Sequence, residues 1–158
     1  EKLRTFGSRG SLPGQFKCPR GVLVDSKGDI LVVDTDNHRV QKFYSEGGLL
    51  AAVGSEGSGP LQFYFPKCIA CNAINGKLYV THQCVQILNL DLTYSGSFGK
   101  HGEGQGEFKC PYGVACDSVG KVYVSDHHNH CVQVSSVRLF RRGTRPAEAP
   151  DRRGHRCQ

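Results

Sequence analysis

No tryptophan and no methionine occur among the 158 residues, while glycine occurs 20 times. No segment keeps apolar residues at the 3.6-residue spacing of an amphipathic helix, so a helical bundle is excluded and strands joined by tight turns are expected. Also missing is an apolar run near the roughly 18 residues that a membrane span requires. No charged-then-apolar leader opens the sequence, and no membrane partner is expected. Neither a Gly-x-Ser-x-Gly elbow nor a phosphate-binding loop is present, which removes the commonest hydrolase and nucleotide-binding readings. No catalytic residues, cofactor or small-molecule substrate are expected.

Charge of one sign is scarcer than the total suggests. The formal net charge is +6, but seven arginines (Arg138, Arg141, Arg142, Arg145, Arg152, Arg153, Arg156) and only two acids (Glu148, Asp151) lie from Val137 onward. The first 136 residues hold 13 basic and 12 acidic side chains. Net charge argues only for the segment that carries it, so the body lacks the broad basic field of a duplex-binding domain. The eight cysteines sit mostly in or beside strand-like runs such as Val114-Ala115-Cys116 and Cys131-Val132-Gln133-Val134. Buried reduced thiols are the expectation, with a disulfide framework as the alternative.

What the sequence does have is a repeat. Phe6-Gly7, Gly14, Phe16, Cys18-Pro19, Gly21-Val22, Asp25, Gly28, Val32, Asp34, Asn37-His38 and Val40-Gln41 all recur 92 positions later without a gap, from Phe98-Gly99 to Val132-Gln133. A third copy lies between them. Phe63, Pro66, Ile69, Gly76 and Val80 match at offsets of 47 or 48, and Val85-Gln86 at 45. The unit is therefore about 46 residues, shortened in the middle copy where Asn37-His38-Arg39 would fall. Within it, Val22 to Val24, Ile30 to Val33, Val40 to Tyr44 and Leu49 to Val53 read as four strands separated by Asp-, Ser- and Gly-rich turns. Four short strands per repeated unit describe a propeller blade, and a blade alone cannot bury both faces.

Pro19-Arg20-Gly21-Val22, Val33-Asp34 and Asp36-Asn37-His38-Arg39-Val40-Gln41-Lys42-Phe43 resemble the NHL repeat, most closely that of tripartite-motif (TRIM) proteins. The resemblance spans residues 5 to about 134. It implies an all-β propeller of four-stranded antiparallel blades, of which this sequence holds about three of a usual six. Residues 5–53, 54–97 and 98–136 are the expected blades of a region 1–136. Residues 137–158, basic and without strand alternation, are expected to be a disordered tail. Two open blade sides imply association with further blades or with another copy of the chain.

Successive loops of an antiparallel meander alternate between the two ends of a sheet. The loop entering the first strand (Phe16 to Gly21) therefore shares an end with the loop joining the second and third (Asp34 to Arg39), as do Phe63 to Cys68, Phe108 to Gly113 and Asp126 to Cys131. Between proline and glycine stands Arg20 in one copy and Tyr112 in another, and Lys67 follows the equivalent proline in the middle copy. A fixed frame with a changing side chain suits recognition. Lys17, Arg20, Arg39, Lys67, Lys109 and Tyr112 are the candidate binding-face residues, and cations beside an aromatic suit phosphate contact with base or peptide stacking.

His127-His128-Asn129-His130 has close imidazole spacing, but the repeat accounts for it: His130 aligns with His38, and Asp126 and Asn129 with turn residues Asp34 and Asn37. Cys68-x-x-Cys71 near His82 and Cys84 is half of a zinc spacing only. No metal is expected. The family resemblance implies a non-catalytic, cytoplasmic module that recognises protein or single-stranded RNA, of the kind that follows RING, B-box and coiled-coil regions in ubiquitin ligases. A related secreted lyase, which would hold metal on the propeller axis with histidines, and a structural fragment without activity of its own are the alternatives.

Overall fold

The computed structural model describes residues 4–136. Its first sheet is a meander of β1 (Pro19–Val24), β2 (Ile30–Asp34), β3 (Arg39–Phe43) and β4 (Leu49–Val53), in that spatial order. Two short strands, β5 (Ser55–Glu56) and β6 (Gln62–Phe63), pair in parallel before the second sheet. That sheet comprises β7 (Ile69–Asn72), β8 (Lys77–Thr81), β9 (Val85–Leu88) and β10 (Tyr94–Phe98). A second parallel pair, β11 (Lys100–His101) with β12 (Glu107–Phe108), leads to β13 (Pro111–Cys116), β14 (Lys121–Asp126) and β15 (Cys131–Ser136). Every pairing within the three large sheets is antiparallel. The architecture is an all-β propeller segment.

Local chemistry explains the turns. The Asp25 carboxylate accepts the N–H groups of Lys27 (2.9 Å) and Asp29 (3.0 Å), closing an Asx turn completed by Gly28 at φ 85°. Asp117 does the same for Val119 and Lys121, with Gly120 at φ 86°. Side chains that imitate a backbone turn are the reason such acids recur at these sites. Between β2 and β3, residues Thr35–Asn37 form one 3-10 turn that ends with His38 in the left-handed region. Asp34, fully buried, holds the turn by accepting from Asn37 Nδ2 (2.8 Å), Arg39 Nε (2.8 Å) and the Lys17 N–H (2.7 Å).

The glycine-rich stretches are ordered elements. Gly99, at φ +85°, leaves room for Phe108: a Cβ there would stand 2.3 Å from the ring. Gly7 and Phe16 repeat the arrangement at 2.4 Å. In each copy a glutamine of the third strand anchors the same loop. Gln41, Gln86 and Gln133 receive the N–H groups of Gly14, Leu61 and Gly106, and donate to the carbonyls of Gln15, Gln62 and Glu107.

Two cores fill the junctions between sheets. Leu31, Val33 and Val40 meet Phe63, Ile69, Leu78, Val80 and Leu88 at the first. Ala70, Tyr79 and Val85 meet Phe108, Val114, Val122 and Val124 at the second. At about 25 cal/mol per Å² of apolar area removed from water, these stacked faces supply the main stabilisation. Beneath the first junction, Lys42 reaches Asp25 (2.9 Å), Asp29 (3.1 Å) and the Leu90 carbonyl (3.1 Å). Burial alone would raise the Asp25 pKa, but hydrogen bonds from Lys42 and from the Lys27 and Asp29 N–H groups hold it below the usual carboxylate range.

The outer sides behave differently at equivalent positions. Val40 is 0% exposed but Val132, its repeat counterpart, is 63% exposed; Val114 is 9% exposed but Val22 is 66%. The sides carrying Val22 and Val132 thus have the composition of blade junctions without a described neighbour. A hollow of about 520 Å³ beside Phe98, Phe108, Val132 and Val134 is part of that open side. Strand β15 runs through Ser135 and Ser136, although two serines interrupt the repeat, because backbone pairing with Val122 and Lys121 does not need their side chains. Residues 137–158, where a disordered tail is expected, lie outside the described residues.

The seven cysteines among the described residues are unbridged, but they are not deeply buried: Cys18 and Cys131 are exposed and the other five half-buried. Cys131 faces the open side on β15 and Cys18 sits in a surface loop, so neither finds the apolar enclosure expected for it.

Candidate functional site

The loops expected at one end of the sheets do meet there. The Asp36 N–H donates to the Lys17 carbonyl (3.0 Å), the Thr81 N–H to Cys68 O (3.1 Å) and the His127 N–H to Cys110 O (2.9 Å). Each contact joins the loop entering an inner strand to the loop between the second and third strands of its sheet. Adjacent sheets are latched at the same end by threonine hydroxyls: Thr35 donates to the Pro66 carbonyl and Thr81 to the Tyr112 carbonyl, both at 2.7 Å.

Inner strands β1, β7 and β13 run side by side and approach closely. A Cβ on Gly21 would stand 3.0 Å from Cys68 Cα and 3.1 Å from the Lys67 carbonyl, so glycine there lets the first two sheets close up. Side chains from the first and third blades meet across the middle one. The Arg20 guanidinium donates to the Tyr112 hydroxyl at 2.5 Å, between residues 92 apart in sequence. The Arg20 guanidinium is charged at any ordinary pH, and hydrogen bonding with Cys18 and the nearby Tyr112 raises its pKa further. Lys67 lies between their strands, with its ammonium 5.6 Å from the Phe65 ring centroid.

Other sequence-derived candidates are placed differently. Lys17 is exposed on the same end. Lys109 is exposed and paired with Glu103, a surface contact of little energetic weight. Arg39 is committed inside the chain: it bonds Asp34 and the carbonyls of Ser11, Leu12 and Gln15. Four charge-assisted bonds fix the first loop and leave that guanidinium no outward donor fork.

Sequence reasoning passed over the aromatics of the middle loop. Tyr64 and Phe65 are 44% and 37% exposed and meet edge to face at 5.1 Å. His38 packs on Phe65 at 4.5 Å, and its Nδ1 accepts the Phe65 N–H. Phe65 holds φ 48°, a costly backbone state for an aromatic residue. Phe63-Tyr64-Phe65 in a loop was the available signal. Below this loop His82 is 5% exposed, and burial lowers its pKa to about 4.

The histidine run also has a partner not visible in sequence spacing. Donor atoms of Cys110, His127 and His128 lie within 4.8 Å of one another. His130 is not among them. No histidine lies on inner strands β1, β7 or β13. No helix among the described residues is long and apolar enough to cross a membrane.

Comparison with known proteins agrees with this architecture. The profile of the NHL repeat matches residues 16–43 and 108–134. The chain is 35% identical over 124 residues to protein brain tumor of Drosophila melanogaster, covering 75% of this chain and 11% of that protein. It is 43% identical over 47 residues to the human E3 ubiquitin-protein ligase TRIM32, covering 30% of this chain and 7% of that protein. The chain thus spans about a tenth of the length of these relatives. Among solved structures, a streptogramin B lyase superposes with a TM-score of 0.54 at 18% identity, over 70% of this chain and 35% of that one. At that identity the likeness concerns the fold alone.

Proposed function

Because this chain belongs to the NHL-repeat β-propeller proteins, we propose that its loop-bearing end is a non-catalytic recognition surface, and that single-stranded RNA is its ligand. The observation that carries the reading is the Arg20–Tyr112 pair at 2.5 Å, built from two blades, with Lys67 and the exposed Tyr64–Phe65 pair on the same end. Exposed rings stack bases without regard to sequence, and cations beside them meet phosphates. The near-neutral body fits a few aimed contacts better than a duplex-wide electrostatic grip.

Protein recognition is the second reading, favoured by the same exposed aromatics, since tyrosine and arginine dominate interface hot spots. In either case the chain supplies substrate or RNA recognition to a TRIM-type ubiquitin ligase in the cytoplasm, and ligase chemistry resides elsewhere in such a protein. The lyase alternative calls for histidines on the propeller axis, and the inner strands among the described residues carry none.

The test is selection from a random single-stranded RNA pool at about 150 mM salt, a concentration at which weak nonspecific phosphate contact is suppressed. The full-length protein is compared with its Arg20→Ala/Lys67→Ala/Tyr112→Ala variant. Enrichment lost in the variant is expected. No enrichment by the parent protein would overturn the RNA reading and turn the search to protein ligands of the same end.

A further inference from the structure

We propose that Cys110, His127 and His128 form a divalent-metal site, selective for zinc, at the edge of the loop-bearing end. Their sulfur and two nitrogen donors lie within 4.8 Å of one another. Tetrahedral zinc, with Zn–S near 2.3 Å and Zn–N near 2.0 Å, needs donor separations of about 3.5 Å. The gap is small, and both imidazoles are exposed, so side-chain rotation closes it without moving backbone. A soft thiolate with two imidazoles suits zinc and excludes magnesium and calcium, which take oxygen donors.

The backbone beneath the donors is already fixed. The His127 N–H donates to Cys110 O (2.9 Å), and the Cys110 N–H to the buried Asp126 carboxylate (2.8 Å). Asp126 also accepts from Asn129 Nδ2 (2.7 Å), which in turn donates to Gly102 O (2.9 Å). Both loops that supply ligands are therefore held before any ion arrives, which lowers the ordering cost of binding.

The repeat provides an internal control. Positions equivalent to Cys110, His127 and His128 are Cys18, Thr35 and Asp36 in the first blade, and Phe65, Thr81 and His82 in the second. There the threonine hydroxyls latch one blade to the next. A blade therefore needs neither two adjacent histidines nor a cysteine facing them. In the third blade a thiol and two imidazoles meet, and the hydroxyl is gone. Three protein donors leave a fourth position for water or for a ligand atom.

Cobalt(II) titration of the full chain under reducing conditions tests the site, because a thiolate–cobalt charge-transfer band reports sulfur ligation. The band is expected to appear at one equivalent and to be displaced by zinc. Cys110→Ser should abolish it, and His128→Gln should weaken cobalt binding at least tenfold. His127→Thr, which restores the residue used in the other blades, should do the same with the fold intact by circular dichroism. Cys18→Ser and Cys84→Ser should leave it unchanged. A band that persists in Cys110→Ser, or affinity unchanged in both histidine variants, overturns the proposal, as does the absence of any band.

Discussion

Acid should loosen this propeller through one histidine. His82 sits under the middle loop, its ring edge-on to Phe63 at 5.6 Å. Its Nδ1 accepts the Tyr64 N–H at 3.3 Å, and its Nε2 lies 3.3 Å from Cys84 Sγ. Protonation would set a ring N–H against the Tyr64 N–H and leave a charge out of water beside the Gln86 amide, and burial lowers the pKa from 6.5 to about 4. The unfolded chain then binds more protons than the folded one between those values. Stability from this group is complete above pH 6.5 and is lost as pH falls toward 4. The loss is about 2 kcal/mol at pH 5 and approaches roughly 3 kcal/mol near pH 4. For a domain of this size, 2 kcal/mol lowers Tm by roughly 5–10 °C. Calorimetry of the full chain from pH 7.5 to 4.5 should show that fall, and His82→Asn, which keeps an acceptor for Tyr64, should remove most of it. An equal slope in the variant refutes the reasoning. The loop concerned carries Tyr64, Phe65 and Lys67, so ligand binding should weaken over the same pH range.

Further outcomes follow from packing. Lys42→Met leaves Asp25 buried without its cation and should cost about 3 kcal/mol in urea unfolding; a change below 1 kcal/mol would show the pair to be solvated. Gly99→Ala places a Cβ 2.3 Å from the Phe108 ring at φ +85°, and should lower stability by roughly 2–3 kcal/mol, read from the same midpoint. Val40→Ala should cost about 2 kcal/mol, whereas Val132→Ala, at the equivalent but exposed position, should cost under about 0.5 kcal/mol in the 158-residue chain held monomeric by dilution. If both prove costly, another surface covers the Val132 side.

Much of the fold is legible because the repeat states it three times. Asp25 and Asp117, Gly28 and Gly120, and Gln41, Gln86 and Gln133 each recur where one turn or loop needs the same hydrogen bonds. Spacing cannot show which side chain a charge turns toward, and Arg39 illustrates this: Asp34 and three carbonyls claim a guanidinium that reads as a surface cation. The parallel pairs β5/β6 and β11/β12 went unread because glycine-rich sequence mimics loop. Spacing places Tyr64 and Phe65 in the loop but does not show that their rings stand exposed against each other. Cys110 joins His127 and His128 only through the meander, which folds together residues 17 apart in the chain.

The most direct test of the recognition surface compares its two ends. Binding of the selected RNA is measured by fluorescence anisotropy for the full-length protein with Arg20, Lys67 and Tyr112 changed to Ala. A matched variant carries Lys27→Ala and Lys121→Ala at the opposite end, in the first turn and at the start of β14. Loss of affinity of at least 100-fold in the first, with less than a threefold change in the second, is the predicted result. Equal losses from both variants would mean that charge alone holds the RNA, and would contradict a recognition surface at the loop-bearing end.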